Sequence, residues 1–220
     1  MCFSATASFI AGVSLTAIGI ATIKKAKKKS EIPFATIPIL FGIQQLIEGV
    51  IWLTFKHEAP LLKQIMTYLY SGFSHGLWPI YIPLSVGILE TVRLRKKILL
   101  AFTVVAACLS FYLLYFIVTR PVLAQVIGKH IVYVSPHFHV IPIMVLYIST
   151  TCISCFFSSH AFLKLFGGLA LLAFIAAYIV DLTALFSVWC FFAAILSLLI
   201  YFHLDYVKPI PIARHRYNMP

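Results

Sequence analysis

Seven apolar stretches, near residues 6–23, 33–55, 65–90, 98–119, 138–158, 162–180 and 184–204, divide this chain of 220 residues. Each lies close to or above the roughly 20 residues that an α-helix needs to cross a bilayer. None shows the strict alternation or the roughly 10-residue length of a barrel strand. In lipid the backbone must satisfy its own hydrogen bonds, which leaves a helical bundle. The chain reads as an all-α, polytopic membrane protein. Residues 1–207 form a single seven-helix transmembrane bundle, and residues 208–220 form a proline-bearing cytoplasmic tail. Composition agrees, with 62% hydrophobic and 10% charged residues against about 45–50% and about 25% in soluble domains. A soluble enzyme, a disordered tail and a secreted disulfide scaffold are excluded.

Orientation follows from the basic residues. With the N-terminus outside, 13 of the 17 Lys and Arg side chains fall on the inner side, including Lys24 to Lys29 and Arg93 to Lys97. Lys56, Lys63, Arg120 and Lys129 remain outside. This positive-inside bias puts the C-terminus in the cytoplasm. The net charge of +11 records topology and contact with an anionic leaflet. It does not indicate nucleic acid, because the basic residues sit in short loops without aromatic interleaving. No charged region precedes the first apolar run, so that run reads as an uncleaved anchor.

Polar groups within the apolar runs carry the functional information. In Phe41-Gly-Ile-Gln-Gln-Leu-Ile-Glu48-Gly-Val-Ile-Trp52, the side chains of Gln44, Gln45 and Glu48 share one helix face, and Trp52 extends it by a turn. A carboxylate at this depth costs at least about 2.5–3.5 kcal/mol, so it faces the bundle interior and takes a partner. The natural partner is His75, near the midplane of the third helix and followed by Trp78, Pro79 and Pro83. Proline cannot donate a backbone hydrogen bond, so a kink is expected there, with carbonyls freed beside the imidazole. Broken helices at mid-depth are where transporters gather ion ligands. The competing account is a protonated Glu48 that merely staples two helices.

A second cluster gathers toward the outer side: Cys2, the pair His137 and His139, Asp181 and Cys190. Alternate histidines with a thiol or carboxylate suit zinc or copper, although an H-x-H pair also occurs by chance. Haem between two facing histidines is a further option, but only His75 is clearly central. Five cysteines, an odd number, argue against a disulfide framework. The Cys152-x-x-Cys155 spacing lies in the inner half of the fifth helix, where Ser149 to Cys155 and Gly167-Gly168 favour close helix packing over redox chemistry. The outer segment 120–137 alone is long enough to carry structure. Its β-branched residues on either side of Gly128 suit a hairpin or a re-entrant lid.

The opening Met1-Cys-Phe-Ser-Ala5, with FGIQQLIEGVIW, FSHGLWPIYIPLSVGILE and SVWCFFAA, resembles a family of uncharacterised multi-pass bacterial membrane proteins. The resemblance covers most of the chain and implies that Cys2, Glu48, His75, Trp78 and Cys190 lie in signature segments. It implies no activity. Alkaline-ceramidase-type zinc hydrolases and SWEET-type sugar transporters are similar in architecture only. The HxxxH pair of the first and the Pro-Gln motifs of the second are missing here.

These features predict a multi-pass protein of the bacterial inner, or cytoplasmic, membrane with a polar pocket open toward the outer side. Glu48 and His75 are the candidate catalytic residues, and Cys2, His137, His139 and Cys190 the candidate metal ligands. Gln44, Gln45, Trp52, Trp78 and Asp181 line the pocket. The function expected first is a metal-dependent enzyme acting on a lipid or small molecule. A proton- or cation-coupled transporter or channel and a non-catalytic structural subunit are the alternatives. Partners beyond the bilayer and the oligomeric state have no signature in the sequence.

Overall fold

Small residues at heptad spacing bring the first two long helices together. A computed structural model describes residues 4–128, 130–134, 140–180 and 185–206. In it α1 (Ala5–Lys25) packs along α3 (Ile37–Lys56), after a 3-10 turn at Lys29–Glu31 and one helical turn, α2 (Ile32–Ala35). The Ser4 hydroxyl caps α1 by accepting from the Ala7 N–H. Gly12 on α1 meets Gly42 on α3, while Gly19 makes room for Ile39 and Gly49 for the Phe9 ring. A Cβ at Gly42 would stand 2.8 Å from the backbone nitrogen of Thr16 and 3.0 Å from the carbonyl oxygen of Gly12. Only glycine admits so close a backbone approach. Between helices in lipid, where water supplies no drive for association, such packing is a main source of adhesion.

The chain continues through α4 (Pro60–Ser71), a π-helical segment (Gly72–Leu77) and α5 (Trp78–Leu89), then α6 (Arg93–Thr119). Strands β1 (Leu123–Ile127) and β2 (His130–Val134) follow as an antiparallel hairpin, with Leu123 opposite Val134. Gly128 turns it with φ +62°, a conformation that costs glycine little. Of the two options for the outer segment, the structure takes the hairpin. The chain ends with α7 (Val140–Thr151), a 3-10 segment (Ile153–Phe157), α8 (Ala161–Val180) and α9 (Leu185–Tyr206). The fifth apolar run is therefore not one continuous helix, since α7 gives way to the 3-10 segment beside Cys152. The tail 208–220 lies outside the described residues.

Six helices among the described residues are long and apolar enough to cross a membrane. The run Pro60–Leu89 is helical throughout but divided by the π segment. Polarity is arranged inside out. Gln44, Gln45 and Glu48 are wholly buried, whereas Val118, Ile179 and Phe111 stand 81%, 77% and 72% exposed. A protein folding in water avoids apolar patches of that extent, and hydrocarbon is the solvent that suits them.

α9 packs against α1, α3 and α8, and reaches β2. One apolar cluster joins α1, α2, α3, α5, α6, α8 and α9. A second joins α6 to α9, and a smaller one, built on Ile51, Tyr70, Ala124 and Ile131, lies beneath the hairpin. Gly42→Ala should lower stability by about 1–3 kcal/mol through overpacking. Gly72→Ala, whose Cβ would meet nothing within 4 Å, should be near neutral. Thermal unfolding of the detergent-solubilised protein, read by size-exclusion, distinguishes the two.

Candidate functional site

Pro79 shapes the ground beneath the site. Without an N–H it cannot bond the carbonyl of His75, four residues earlier. The helix takes up the misfit as a π turn rather than as the simple kink that the sequence suggests. The Trp78 N–H bonds the carbonyl of Phe73, five residues back. Single π turns of this kind often sit at functional positions. His75, 2% exposed, lies inside the turn. Its Nδ1 is 2.7 Å from the Ser74 hydroxyl, and the Tyr147 hydroxyl donates to the Ser74 carbonyl.

Glu48 draws its hydrogen bonds from three elements. Its Oε1 accepts from the Ser187 hydroxyl of α9 at 2.8 Å and from the Tyr133 hydroxyl of β2 at 3.4 Å. Its Oε2 faces Gln45 Nε2 of its own helix at 3.4 Å. One turn away, Trp78 Nε1 donates to Gln44 Oε1 at 2.6 Å. That bond turns the Gln44 amide nitrogen toward Cys190 Sγ, 3.4 Å off. The Tyr70 phenol also reaches Cys190, while its ring stacks on Tyr133 at 4.2 Å and 7°. Trp52 Nε1, a turn beyond Glu48, and Ser71 Oγ, just before the π segment, are buried without a protein hydrogen-bond partner among the described residues.

The structure thus gives two neighbouring hydrogen-bonded sets on α3, Glu48 with Gln45 and Gln44 with Trp78 and Cys190, with His75 in the adjoining π turn and Trp52 one turn beyond Glu48. Cys2, His137, His139 and Asp181 lie outside the described residues. Sequence reasoning passed over Ser187, Tyr133, Tyr70, Ser74 and Tyr147. Ser187 had a signal, because it precedes Cys190 by three residues and shares its helix face. The tyrosines had none, since their contacts depend on how hairpin and helices meet. Among the described residues no three His, Cys, Asp or Glu side chains group closely enough to hold a metal ion. Cys152 and Cys155 are buried and free. A Cβ at Gly167 would lie 2.6 Å from that of Cys155, so the small residues here serve close packing of α8.

A second buried carboxylate, Glu90, lies at the opposite, lysine-rich end and has a different role. Its Oε1 accepts from the N–H groups of Thr91 and Val92, both at 2.9 Å, and from the Ser159 hydroxyl at 2.8 Å. Its Oε2 accepts from the Ser159 N–H at 2.6 Å and the Ser158 hydroxyl at 3.3 Å. Arg95 donates to the Ser158 carbonyl at 2.8 Å. With its oxygens occupied by loop donors, Glu90 is a structural clamp and offers no open chemistry.

Residues 1–215 match the model of a family of unknown function (DUF6629). No curated protein and no solved structure matches the chain.

Burial alone would raise the Glu90 pKa, but the amides of Val92 and Ser159, the Ser159 hydroxyl and the Thr91 amide outweigh it. Together they hold the value at about 2, against an ordinary 4.5. A folded-state value below the unfolded one gives stability that is complete above about pH 4.5 and lost as pH falls toward 2. The difference in unfolding temperature between wild type and Glu90→Gln should therefore be largest near neutrality and shrink across that window. A difference that stays constant with pH would contradict the clamp.

Proposed function

The chain belongs to DUF6629, a family of unknown function, and we propose that it is a membrane-embedded enzyme with Glu48 as its acid–base residue. The observation that carries this reading is the setting of Glu48. It is a wholly buried carboxyl in an apolar bundle, held by neutral donors from β2, α3 and α9. Ionisable groups at such depth mark functional sites by default. The buried Trp52 indole N–H and Ser71 hydroxyl are each left unsatisfied, at a cost of about 1–3 kcal/mol. The Trp52 donor, one turn from Glu48 on the same helix, would gain from a polar group bound there.

In this reading Pro60–Leu89 is the seventh crossing, its 30 helical residues spanning about 45 Å at 1.5 Å per residue. The N-terminus faces outward and the C-terminus inward, in a bacterial cytoplasmic membrane, so the hairpin covers the site from outside. The substrate is a lipid or small molecule that arrives from that side. Zinc or copper enters the reading only through Cys2, His137 and His139 acting with Cys190. Elemental analysis of the purified protein tests that part separately.

A second reading, proton- or cation-coupled transport, draws on the π turn at His75, since interrupted helices favour ion coordination. The polar groups favour the enzyme. They gather around Glu48, while the cavity on the far side of Gln44 is lined mainly by apolar and aromatic residues.

Glu48→Gln preserves shape and removes ionisation. Turnover in a screen of lipid and small-molecule substrates should fall about 10²–10⁴-fold, with little change in unfolding temperature. Loss of stability without loss of turnover would instead make the chain a structural subunit. Proton-coupled flux in liposomes that disappears in His75→Gln would favour transport.

A further inference from the structure

On the lysine-rich side of Gln44, a cavity of about 40 Å³ lies where α3, α5, α7, α8 and α9 meet. Aromatic rings dominate its wall: Phe41, Trp78, Tyr147, Phe166 and Trp189. The polar atoms on those rings are already engaged. Trp78 Nε1 bonds Gln44 Oε1, Trp189 Nε1 bonds the Ala170 carbonyl, and the Tyr147 hydroxyl bonds the Ser74 carbonyl. Thr151, also on the wall, donates its hydroxyl to the Tyr147 carbonyl at 2.7 Å. The cavity therefore presents carbon and sulfur. A water there would find too few of the 2–4 polar partners it needs, whereas dry apolar cavities accept apolar guests.

Two helices lead from this cavity to the carboxylate. On α3 the order is Phe41, Gln44, Glu48, and on α9 it is Ala193, Cys190, Ser187. Phe41, Cys190 and Ala193 line the cavity, while Ser187 bonds Glu48. Seven residues of helix separate Phe41 from Glu48, about 10 Å along the axis. Two alanines, Ala170 and Ala193, stand in the wall beside the much larger aromatic rings. A leucine at either would fill the space.

We propose that the cavity receives the tip of the hydrocarbon chain of an amphiphilic substrate, whose polar head lies at Glu48. The placement of the head rests on the acid–base reading above, whereas the placement of the chain rests on the cavity alone. The site is then built for a lipid rather than for a small polar solute. Trp78 orients the Gln44 amide at the boundary between the two halves.

The tryptophans provide the test, since two of the three in the chain line the cavity. Trp78 and Trp189 are 3% and 5% exposed and screened from bulk chains, while Trp52, near the head, adds a constant background emission. A monoacylglycerol whose twelve-carbon chain ends in bromine, added to micelles of unbrominated detergent, should quench them saturably. Unbrominated dodecanoyl glycerol should restore the emission. Ala170→Leu and Ala193→Leu, by excluding about two methylenes, should weaken the quenching on the order of tenfold. Quenching that rises linearly without saturation in the wild-type protein overturns the proposal, whether or not the leucine variants fold. Saturable quenching that both folded leucine variants leave unchanged also overturns it. Glu48→Gln should retain the quenching, so a failed acid–base reading and a failed chain site give different results.

Discussion

A carboxyl group that must remain in an apolar bundle governs the arrangement of this protein. Glu48 cannot face lipid, and one neighbouring side chain does not meet the hydrogen-bonding capacity of two oxygens. The structure answers with donors from three places: a serine on the last helix, a tyrosine on the hairpin and a glutamine one turn away. The first two contacts each fix the position of an element otherwise held by apolar packing. α9 lies beside α3, and the hairpin folds back over the bundle. The glycine contact of α1 with α3 holds the other face of the same helix.

The π turn and the Gln44 amide show how one sequence feature can serve two purposes. Pro79 removes a backbone donor, and the turn that absorbs the loss spans Gly72–Leu77. The next residue, Trp78, directs its indole at Gln44 and lays its ring on Phe41 at 3.9 Å. The indole nitrogen thus belongs to the polar group and the ring to the cavity wall. A regular helix would place this residue about 100° around its axis from a helix carrying one further residue in the turn. The irregularity therefore decides which side chain stands at the boundary.

Much of the architecture could be read in the residues, because lipid imposes length and polarity rules that leave a plain trace. Most apolar runs became helices within about five residues of their expected bounds, although the third is divided by the π segment and the fifth gives way to a 3-10 segment. The polar face of Gln44, Gln45 and Glu48 turned inward as its spacing required, and Gly128 marked the hairpin turn. The partners of Glu48 were harder to find. Ser187 lay in view, but a serine in a membrane helix more often bonds its own backbone. Tyr133 belongs to a strand whose faces both look apolar in sequence, so its orientation depends on the docking of the hairpin. Glu90 was hidden for another reason. It is a helix-end acid among basic residues, and only the fold shows Ser158 and Ser159 arriving from a distant loop to meet it.

The Glu90 clamp has a mechanical consequence. It joins the start of α6 to the loop after α7, while the hairpin joins the opposite ends of the same two helices. The chain from Glu90 to Ser159 is thereby closed into a buckled loop of some seventy residues, fastened by hydrogen bonds at one end and by covalent backbone at the other. To lift Tyr133 away from Glu48, it must tilt about its fastened end or bend its two long sides. The pair of carboxylates, one at each end, accordingly acts as latch and hinge pin of a single arm.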